Sequence, residues 1–217
     1  MIARAELVKL LDETGVVAVI RITQASDLVA VARALGAGGV RLVEITMTVP
    51  DALDVIRTAS RELAPEVLIG AGTVLDATTA RLAILAGAAF VVGPTFDPEI
   101  VEICHLYDRA VIPGALTPTE IVAAVRSGAD AVKVFPGRVA TPGYFADVLA
   151  PLSQARLLPT GNVDLSTAPE YIAAGAIAVG VGRALVDPAA VRANDLETIT
   201  QTAREFRRVV DLARGRR

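Results

Sequence analysis

The feature that most constrains the fold of this chain is a regular alternation between short apolar runs and segments with helical periodicity. The apolar runs are rich in Val and Ile, and none shows the strict apolar–polar alternation of a half-buried strand. Continuous hydrophobic runs separated by helices are typical of a parallel sheet that is covered on its outer face. We therefore predict eight strands, at residues 16–21, 42–46, 68–74, 90–94, 110–116, 131–135, 156–161 and 177–181.

Helical periodicity fills the intervals between these strands, and several of the helical segments end at a glycine. Eight βα units close into a barrel, for which about 200–250 residues is the usual lower size, and the chain has 217 residues. The prediction is an α/β fold, a single (β/α)8 TIM barrel with a short N-terminal helix, in one domain over residues 1–217. The predicted helices lie at residues 1–14, 26–37, 50–63, 77–86, 98–107, 118–127, 144–149, 167–174 and 194–213.

Two further features of the sequence support this architecture. Ile2, Leu7, Leu10 and Leu11 follow helical spacing ahead of the first strand, so residues 1–14 are expected to form a lid or a capping helix. The alternative fold is an open, doubly wound sheet. That fold usually has fewer strands, and no Gly-x-Gly-x-x-Gly follows the first strand here.

Composition excludes several classes of protein. The net charge of -3 is mild and no basic block lies inside the chain, so nucleic-acid binding is not expected. A single cysteine fits a reducing compartment and rules out an intrachain disulfide framework. No apolar run is long enough to cross a membrane, and the first residues lack the pattern of a signal peptide. We expect a cytoplasmic protein.

One lysine stands out in the sixth predicted strand, AVKVFP. Burying the ammonium group of Lys133 costs several kcal/mol unless it is paired or loses its proton. A desolvated lysine can lose that proton, which arginine cannot, and the free amine is a nucleophile toward carbonyl carbons. The structural alternative is a lysine at a strand end whose head group reaches water.

Other polar residues are predicted at the carboxyl ends of strands, where barrels of this kind have their active sites. Glu44 lies between apolar residues of the second strand, and Arg21 ends the first. Three buried charges on three strands are hard to explain as packing, because a buried ion pair is weak evidence for stability. With Lys133 they suggest an amine nucleophile, an acid/base and an anion clamp. Glu44 as a structural partner of Arg21 or Arg41 stays open.

This set of groups permits imine chemistry. A neutral Lys133 would attack a ketone, and the resulting imine would act as the electron sink for breaking the adjacent C–C bond. Glu44 is the carboxylate available to move protons, and Arg21 could hold the carboxylate of an α-keto acid with two hydrogen bonds. Thr73 could add a hydroxyl, or it could be an ordinary strand residue.

A second candidate feature is a set of glycines after the last two strands. Gly161 follows the seventh strand, Gly180 and Gly182 lie at the end of the eighth, and Arg183 comes next. These loops of a barrel often hold phosphate, because glycines let backbone N–H groups approach an anion. No transition-metal site is expected, since His105 is the single histidine and lies in a predicted helix beside Cys104.

In the order in which they occur, these segments resemble the class I 2-keto-3-deoxy-6-phosphogluconate (KDPG) / 4-hydroxy-2-oxoglutarate (KHG) aldolase family, including 2-keto-3-deoxy-6-phosphogalactonate aldolase. The resemblance covers about residues 16–186, and IGAGTV with Lys-x-Phe-Pro is its most specific part. The matching segments are VVAVIR, AGGVRLVEIT, LIGAGTVLD, FVVGP, VIPGALTPTE, AVKVFP, LLPTG and VGVGRALV.

The resemblance implies a role for each matched residue. Lys133 would be the Schiff-base lysine and Glu44 the proton-transferring residue. Arg21 and Thr73 would contact the keto acid, while Pro94 and Phe135 would line the pocket. It also implies a lyase, in the form of a homotrimer, that releases pyruvate and uses no metal or other cofactor beyond the covalent imine.

The sequence departs from the family pattern at both ends of the expected substrate. Many members have Leu-Arg-Thr after the glutamate motif, where this chain has Met47-Thr48-Val49, closer to the phosphogalactonate branch. Arg21 would then take over the substrate carboxylate. The family's Pro-Thr-Gly-Gly is here Pro-Thr-Gly-Asn, ending at Asn162, and its glycine-serine is Gly182-Arg183. Arg183 would either bind phosphate more strongly or select a different aldehyde.

The leading prediction is therefore cleavage of a 2-keto-3-deoxy (phospho)sugar acid, or of 4-hydroxy-2-oxoglutarate, to pyruvate and an aldehyde such as glyceraldehyde 3-phosphate or glyoxylate. Two alternatives stay open at the level of the sequence. One is a phosphosugar isomerase, epimerase or synthase on the same barrel, and the other is a keto-acid-binding homologue without turnover.

Overall fold

A computed structural model describes residues 2–21 and 28–215. Within them, nine strand segments and ten helices alternate along the chain. The strands are β1 Val16–Ile20, β2 Leu42–Thr46, β3 Leu68–Gly72, β4 Phe90–Val92, β5 Ala110–Ile112, β6 Gly114–Ala115, β7 Val132–Val134, β8 Leu157–Pro159 and β9 Val179–Val181. The helices are α1 Arg4–Thr14, α2 Leu28–Ala37, α3 Ala52–Leu63, α4 Ala77–Ala86, α5 Pro98–Leu106, α6 Pro118–Arg126, α7 Pro142–Leu149, α8 Ala168–Ala173, α9 Pro188–Arg192 and α10 Leu196–Ala213.

The strands form a ring of parallel pairs. One sheet has the order β5-β4-β3-β2-β1-β9 and the other β6-β7-β8. β5 and β6 are two halves of the fifth barrel strand, interrupted at Pro113, whose ring nitrogen has no hydrogen to donate. A parallel bridge between Thr160 and Gly180 connects β8 to β9 and closes the ring. The predicted eight-stranded barrel is confirmed.

The barrel has two separate hydrophobic cores. The larger one lies between the sheet and the surrounding helices, as expected for a sheet covered on its outside. The smaller one fills the amino end of the barrel interior, where Leu42, Leu68 and Phe90 start their strands. Leu7 and Leu11 of α1 pack into this inner core. The N-terminal helix therefore caps the amino end of the barrel, opposite the carboxyl ends of the strands.

Ion pairs hold α1 against the barrel. Arg4 Nε lies 2.8 Å from Asp130 Oδ1, just before β7. The other oxygen of Asp130 accepts a hydrogen bond from the backbone N–H of Val111 on β5 at 2.9 Å. Asp12 pairs with Arg156 at 2.6 Å, ahead of β8. One carboxylate, that of Asp130, thus links the cap to two strands.

Some predicted boundaries differ from the structure. The helix predicted from residue 26 is described from Leu28, and residues 26 and 27 lie outside the described residues. Several predicted strands end earlier than expected, so that Arg21, Thr73 and Pro94 follow their strands. Helix α9 was not predicted. None of the helices in residues 2–21 and 28–215 has the length and apolar character needed to cross a membrane.

Candidate active site

Two charged side chains meet inside the barrel. Side chains alternate between the two faces of a strand, so Glu44 shares the inner face of β2 with Leu42. Lys133 on β7 likewise shares the inner face with Ala131, which directly precedes that strand. The relative exposure is 2% for Glu44 and 5% for Lys133. Their Nζ and Oε1 atoms are 3.9 Å apart, which is an ion-pair contact longer than a hydrogen bond. The structure thus brings together the predicted nucleophile and the predicted proton carrier.

Glycines on neighbouring strands make room for the side chains of Glu44 and Thr160. A Cβ atom added to Gly72 on β3 would lie 1.8 Å from Oε1 of Glu44. A Cβ added to Gly180 on β9 would lie 2.3 Å from Oγ1 of Thr160. The site therefore requires glycine at the end of the IGAG segment, because a larger residue at Gly72 would occupy the position of the Glu44 carboxylate.

Burial dominates the electrostatics of Glu44. Desolvation raises the pKa of its carboxyl above the ordinary value, whereas the charges of Lys133 and Arg21 act in the opposite direction. Its Oε1 atom accepts no hydrogen bond from any described residue. A buried carboxylate oxygen of this kind is available to take or give a proton at a bound molecule.

A cavity of about 500 Å³ opens at the carboxyl ends of the strands around Lys133. Six predicted site residues line it: Arg21, Lys133, Phe135, Gly161, Gly182 and Arg183. Cationic groups thus border the cavity at Arg21 and Arg183, which favours an anionic ligand. Arg21 is exposed, so the prediction of three buried charges is wrong for this residue. It follows the last residue of β1 and reaches the site from the rim.

Phe135 forms part of the wall beside the amine. Its ring centroid lies 5.5 Å from Lys133 Nζ, and its exposure is 38%. A Cβ added to Gly161 would lie 3.7 Å from the ring. Phe135 therefore shields one side of the amine and meets the glycine turn that follows β8.

Thr73 and Pro94 are placed near the site but are not among the residues that line this cavity. Thr73 follows β3, is half-buried, and has a φ of +58°. This conformation is rare for a β-branched residue, and strained residues of this kind cluster at functional sites. Pro94 is half-buried two residues after β4, and its carbonyl lies against Gly114. Contact of either residue with substrate stays a prediction.

Four cavity residues were not predicted as site residues: Val19, Thr160, Val186 and Pro188. Val19 had a usable signal, because it shares a strand face with Arg21. Pro188 is the first residue of α9, whose N-cap Asp187 accepts a hydrogen bond from the N–H of Ala189 at 3.0 Å. An Asp-Pro pair is a helix start that the sequence does show. Thr160 also had a signal in the sequence, because it is a polar residue at the carboxyl end of a strand.

Two other regions lack this combination of groups. A cavity of about 380 Å³ lies beside α3 and α4 and contains Arg57, Arg61 and Arg109 but no carboxylate or lysine. His105 lies on α5 and contacts Gly128, and burial lowers its pKa. Within residues 2–21 and 28–215, no three His, Cys, Asp or Glu side chains are grouped so as to hold a metal ion.

Comparison with known proteins identifies relatives over nearly the whole chain. The family model described as "KDPG and KHG aldolase" matches residues 7–202. The chain is 34% identical over 201 residues to a 2-dehydro-3-deoxy-phosphogluconate aldolase of Treponema pallidum, covering 92% of this chain and 95% of the relative. It is 34% identical over 192 residues to the KHG/KDPG aldolase of Escherichia coli K12, covering 88% and 89%.

A solved structure supplies a chemical comparison. The KDPG aldolase of Legionella pneumophila, with pyruvate captured as a covalent carbinolamine intermediate, superimposes with a TM-score of 0.85 at 25% identity. The match covers 92% of this chain and 97% of that protein. A carbinolamine is the adduct of an amine and a ketone, which is the chemistry that a buried lysine in a barrel permits.

Proposed function

The chain belongs to the KDPG and KHG aldolase family, and we propose that Lys133 is the lysine through which it forms the imine. As a member it is a class I aldolase, a carbon–carbon lyase that acts through a covalent lysine Schiff base without a cofactor. The observation that carries the proposal is the contact between Nζ of Lys133 and a buried carboxylate oxygen of Glu44 that accepts no hydrogen bond from the described residues.

The proposed reaction begins with attack of the neutral Lys133 amine on the C2 carbonyl of the keto acid. Protonated Glu44 gives its proton to the hydroxyl of the carbinolamine, which leaves as water, so that a protonated imine and the Glu44 carboxylate are formed. Glu44 takes the proton of the C4 hydroxyl, the C3–C4 bond breaks, and its electrons move into the imine to form an enamine while the aldehyde departs. Glu44 returns the proton to C3. Hydrolysis of the protonated imine then releases pyruvate and the free amine, and Glu44 takes up the proton that is freed.

The cavity suggests how the substrate is oriented. Arg21 is close enough to Glu44 for its charge to act on that carboxyl, where it opposes the rise in pKa caused by burial. It is proposed to bind the C1 carboxylate with its planar guanidinium group. Gly161, Gly182 and Arg183 are proposed to bind the distal anionic group. Gly161 has a φ of +92° and Asn162 a φ of +59°, so Asn162 adopts a conformation that glycine also favours, and the turn keeps its shape.

The central experiment is reduction of the enzyme with borohydride in the presence of pyruvate, followed by mass spectrometry of its peptides. One pyruvyl adduct is expected on Lys133, and none on Lys133→Met. A label on Lys9, or no label on the wild-type enzyme, would contradict the assignment of the lysine.

The distal anion site is tested with Arg183→Ala and a matched surface variant, Arg192→Ala. Arg183→Ala is expected to lower kcat/KM for cleavage of the phosphorylated keto acid by about tenfold, the effect of a lost charged hydrogen bond, and to leave the pyruvate adduct intact. Arg192→Ala should retain the wild-type value. Equal rates for phosphorylated and unphosphorylated substrates in the wild-type enzyme would remove phosphate from the proposal and favour a carboxylate such as that of 4-hydroxy-2-oxoglutarate.

Three further properties are proposed from the resemblance to the family and from composition. The chain folds as one domain over residues 1–217, assembles as a homotrimer and works in the cytoplasm. Light scattering on the purified protein distinguishes a trimer from a monomer or dimer by mass.

A further inference from the structure

Tyr171 on α8 contacts the loop that follows the lysine strand. Its side chain is buried, with 3% exposure, and its hydroxyl oxygen lies 3.1 Å from the carbonyl oxygen of Gly137 and 2.9 Å from that of Ala140. Burial raises the pKa of the phenol, so the hydroxyl keeps its proton. A hydroxyl has one proton to donate, and here two carbonyls of the same loop share it.

The loop at residues 136–140 begins directly after Phe135. Gly137 and Ala140 are buried, whereas Arg138 and Val139 between them are exposed. The carbonyl oxygens of both buried residues lie against the Tyr171 hydroxyl, which therefore fixes the loop to α8 at two points. Without that hydroxyl, two buried carbonyl groups would lose a hydrogen-bond donor.

The same loop contacts the wall of the active-site cavity. The backbone N–H of Gly137 donates to the carbonyl of Thr160 at 2.8 Å. A Cβ added to Gly137 would lie 2.2 Å from the carbonyl oxygen of Gly161, so the two backbones are in direct contact. Thr160 and Gly161 both line the cavity, and Phe135 precedes the loop by one residue.

We propose that Tyr171 is a positioning residue for this active site: by fixing the 136–140 loop, its hydroxyl holds the cavity wall formed by Phe135, Thr160 and Gly161. The inference rests on the proposed function, because it is the Lys133 site that this wall borders. Tyr171 touches no reacting atom, and its effect passes through the loop.

A purely structural role predicts a different result. The ring of Tyr171 packs edge-to-face on Phe145 with centroids 5.2 Å apart, and Tyr171→Phe keeps this contact while removing the hydroxyl. If the hydroxyl contributed to stability alone, the variant would unfold at a lower temperature, and the folded enzyme would keep its kcat and KM. A positioning role changes the kinetics of the folded enzyme, because misplacing a wall by about 1 Å costs up to 10²-fold.

The test compares Tyr171→Phe with Tyr107→Phe in the full chain. Tyr107 is a matched control, since its hydroxyl accepts a hydrogen bond from Arg81 Nε at 3.0 Å on the outer helices. We expect kcat/KM for keto-acid cleavage to fall about 10- to 100-fold in Tyr171→Phe and to stay at the wild-type value in Tyr107→Phe. Amide exchange at Gly137 should accelerate in Tyr171→Phe alone, and the borohydride adduct on Lys133 should still form at saturating pyruvate.

Wild-type kcat and KM in folded Tyr171→Phe would overturn the inference, whatever its unfolding temperature. Should that variant not fold, Gly137→Ala displaces the same loop from the cavity wall, because the added methyl group would lie 2.2 Å from the carbonyl oxygen of Gly161. Wild-type kinetics in Gly137→Ala would overturn the inference equally. Absence of the pyruvate adduct in the wild-type enzyme would instead overturn the proposed function, and the inference with it. If the wild-type enzyme forms the pyruvate adduct and Tyr171→Phe keeps the wild-type kinetics, only the role of Tyr171 is overturned and the proposed function stands.

Discussion

At the scale of single residues, the site depends on a carboxyl group whose burial disfavours its ionised form. Glu44 is buried on β2, and desolvation raises its pKa, so its neutral and ionised forms are closer in free energy than those of an exposed glutamate at neutral pH. A proton carrier works best when its pKa lies near the working pH. The burial that makes Glu44 costly to ionise is therefore what suits it to transfer protons at the imine.

Replacing Glu44 by glutamine tests this role directly. Glu44→Gln keeps the size of the side chain but cannot carry a proton, so kcat for keto-acid cleavage is expected to fall roughly 10²–10⁴-fold. Steady-state kinetics on this variant and on Glu66→Gln, an exposed glutamate, provide the comparison. A near-normal rate in Glu44→Gln would assign the proton transfer to another group.

The pH dependence of the free energy of unfolding provides a second test of the raised pKa of Glu44. In Lys133→Met, Glu44 loses the nearby charge that lowers its pKa, so the folded-state pKa rises further above the ordinary value of 4.5. A carboxyl whose pKa is higher in the folded than in the unfolded state stabilises the fold below the unfolded pKa, and that stability is lost as pH rises through the folded pKa. The free energy of unfolding of Lys133→Met should therefore decrease as pH rises from about 4.5.

Denaturant unfolding of Lys133→Met between pH 4.5 and 8 measures this slope, with the double variant Lys133→Met/Glu44→Gln as control. The double variant lacks the titrating group, and its unfolding free energy should depend less on pH. Identical pH profiles for the two proteins would show that Glu44 does not titrate with a raised pKa.

At the scale of elements, the continuous apolar runs predicted the barrel, because parallel strands that are buried on both faces must be apolar on both faces. The predicted carboxyl ends of some strands were wrong, because backbone dihedral angles end these strands and the hydrophobic pattern does not encode those angles. Thr73 turns the chain with a positive φ directly after β3. Arg21 was likewise assigned to a strand and is instead an exposed residue beyond β1.

The close contact between β2 and β3 yields a prediction for the glycine at their junction. Gly72→Ala would place a methyl group 1.8 Å from Oε1 of Glu44, so the carboxylate cannot keep its present position beside Lys133. Catalytic efficiency should fall about 10²-fold, the cost of a displaced catalytic group. Gly143→Ala is the control, because its nearest atom, Oγ1 of Thr141, would be 3.8 Å away. Wild-type kinetics in Gly72→Ala would mean that the position of Glu44 tolerates displacement.

At the scale of the whole molecule, the two ends of the barrel have different tasks. Cationic groups and the Lys133–Glu44 pair lie at the carboxyl ends of the strands, and α1 with the inner core fills the amino end. The sequence alone predicted Lys133 and Glu44, since charges inside apolar strands are conspicuous, and it predicted Arg21 and Arg183 from their positions at strand ends. It missed Val186 and Pro188, because apolar residues after β9 are not distinguishable from packing until the fold brings them to the cavity.

Because the two ends differ in this way, we expect a destabilising substitution in α1 to leave catalysis unchanged. Leu11 on α1 is 1% exposed, and truncation to alanine in such a position costs about 2–5 kcal/mol. Each kcal/mol lowers the melting temperature of a chain of this size by about 2–4 °C. Leu11→Ala should therefore melt well below the wild-type protein. At temperatures where it is folded, it should keep the wild-type kcat, because no residue of α1 lines the cavity.

Calorimetry and steady-state kinetics on Leu11→Ala and Leu212→Ala separate the two properties. Leu212 is 54% exposed on α10, so its truncation should change stability by no more than about 0.5 kcal/mol. A fall in kcat of folded Leu11→Ala would show that the capped end transmits strain along the barrel to Lys133. Unchanged kcat with a lowered melting temperature places stability and chemistry at opposite ends of the same eight strands.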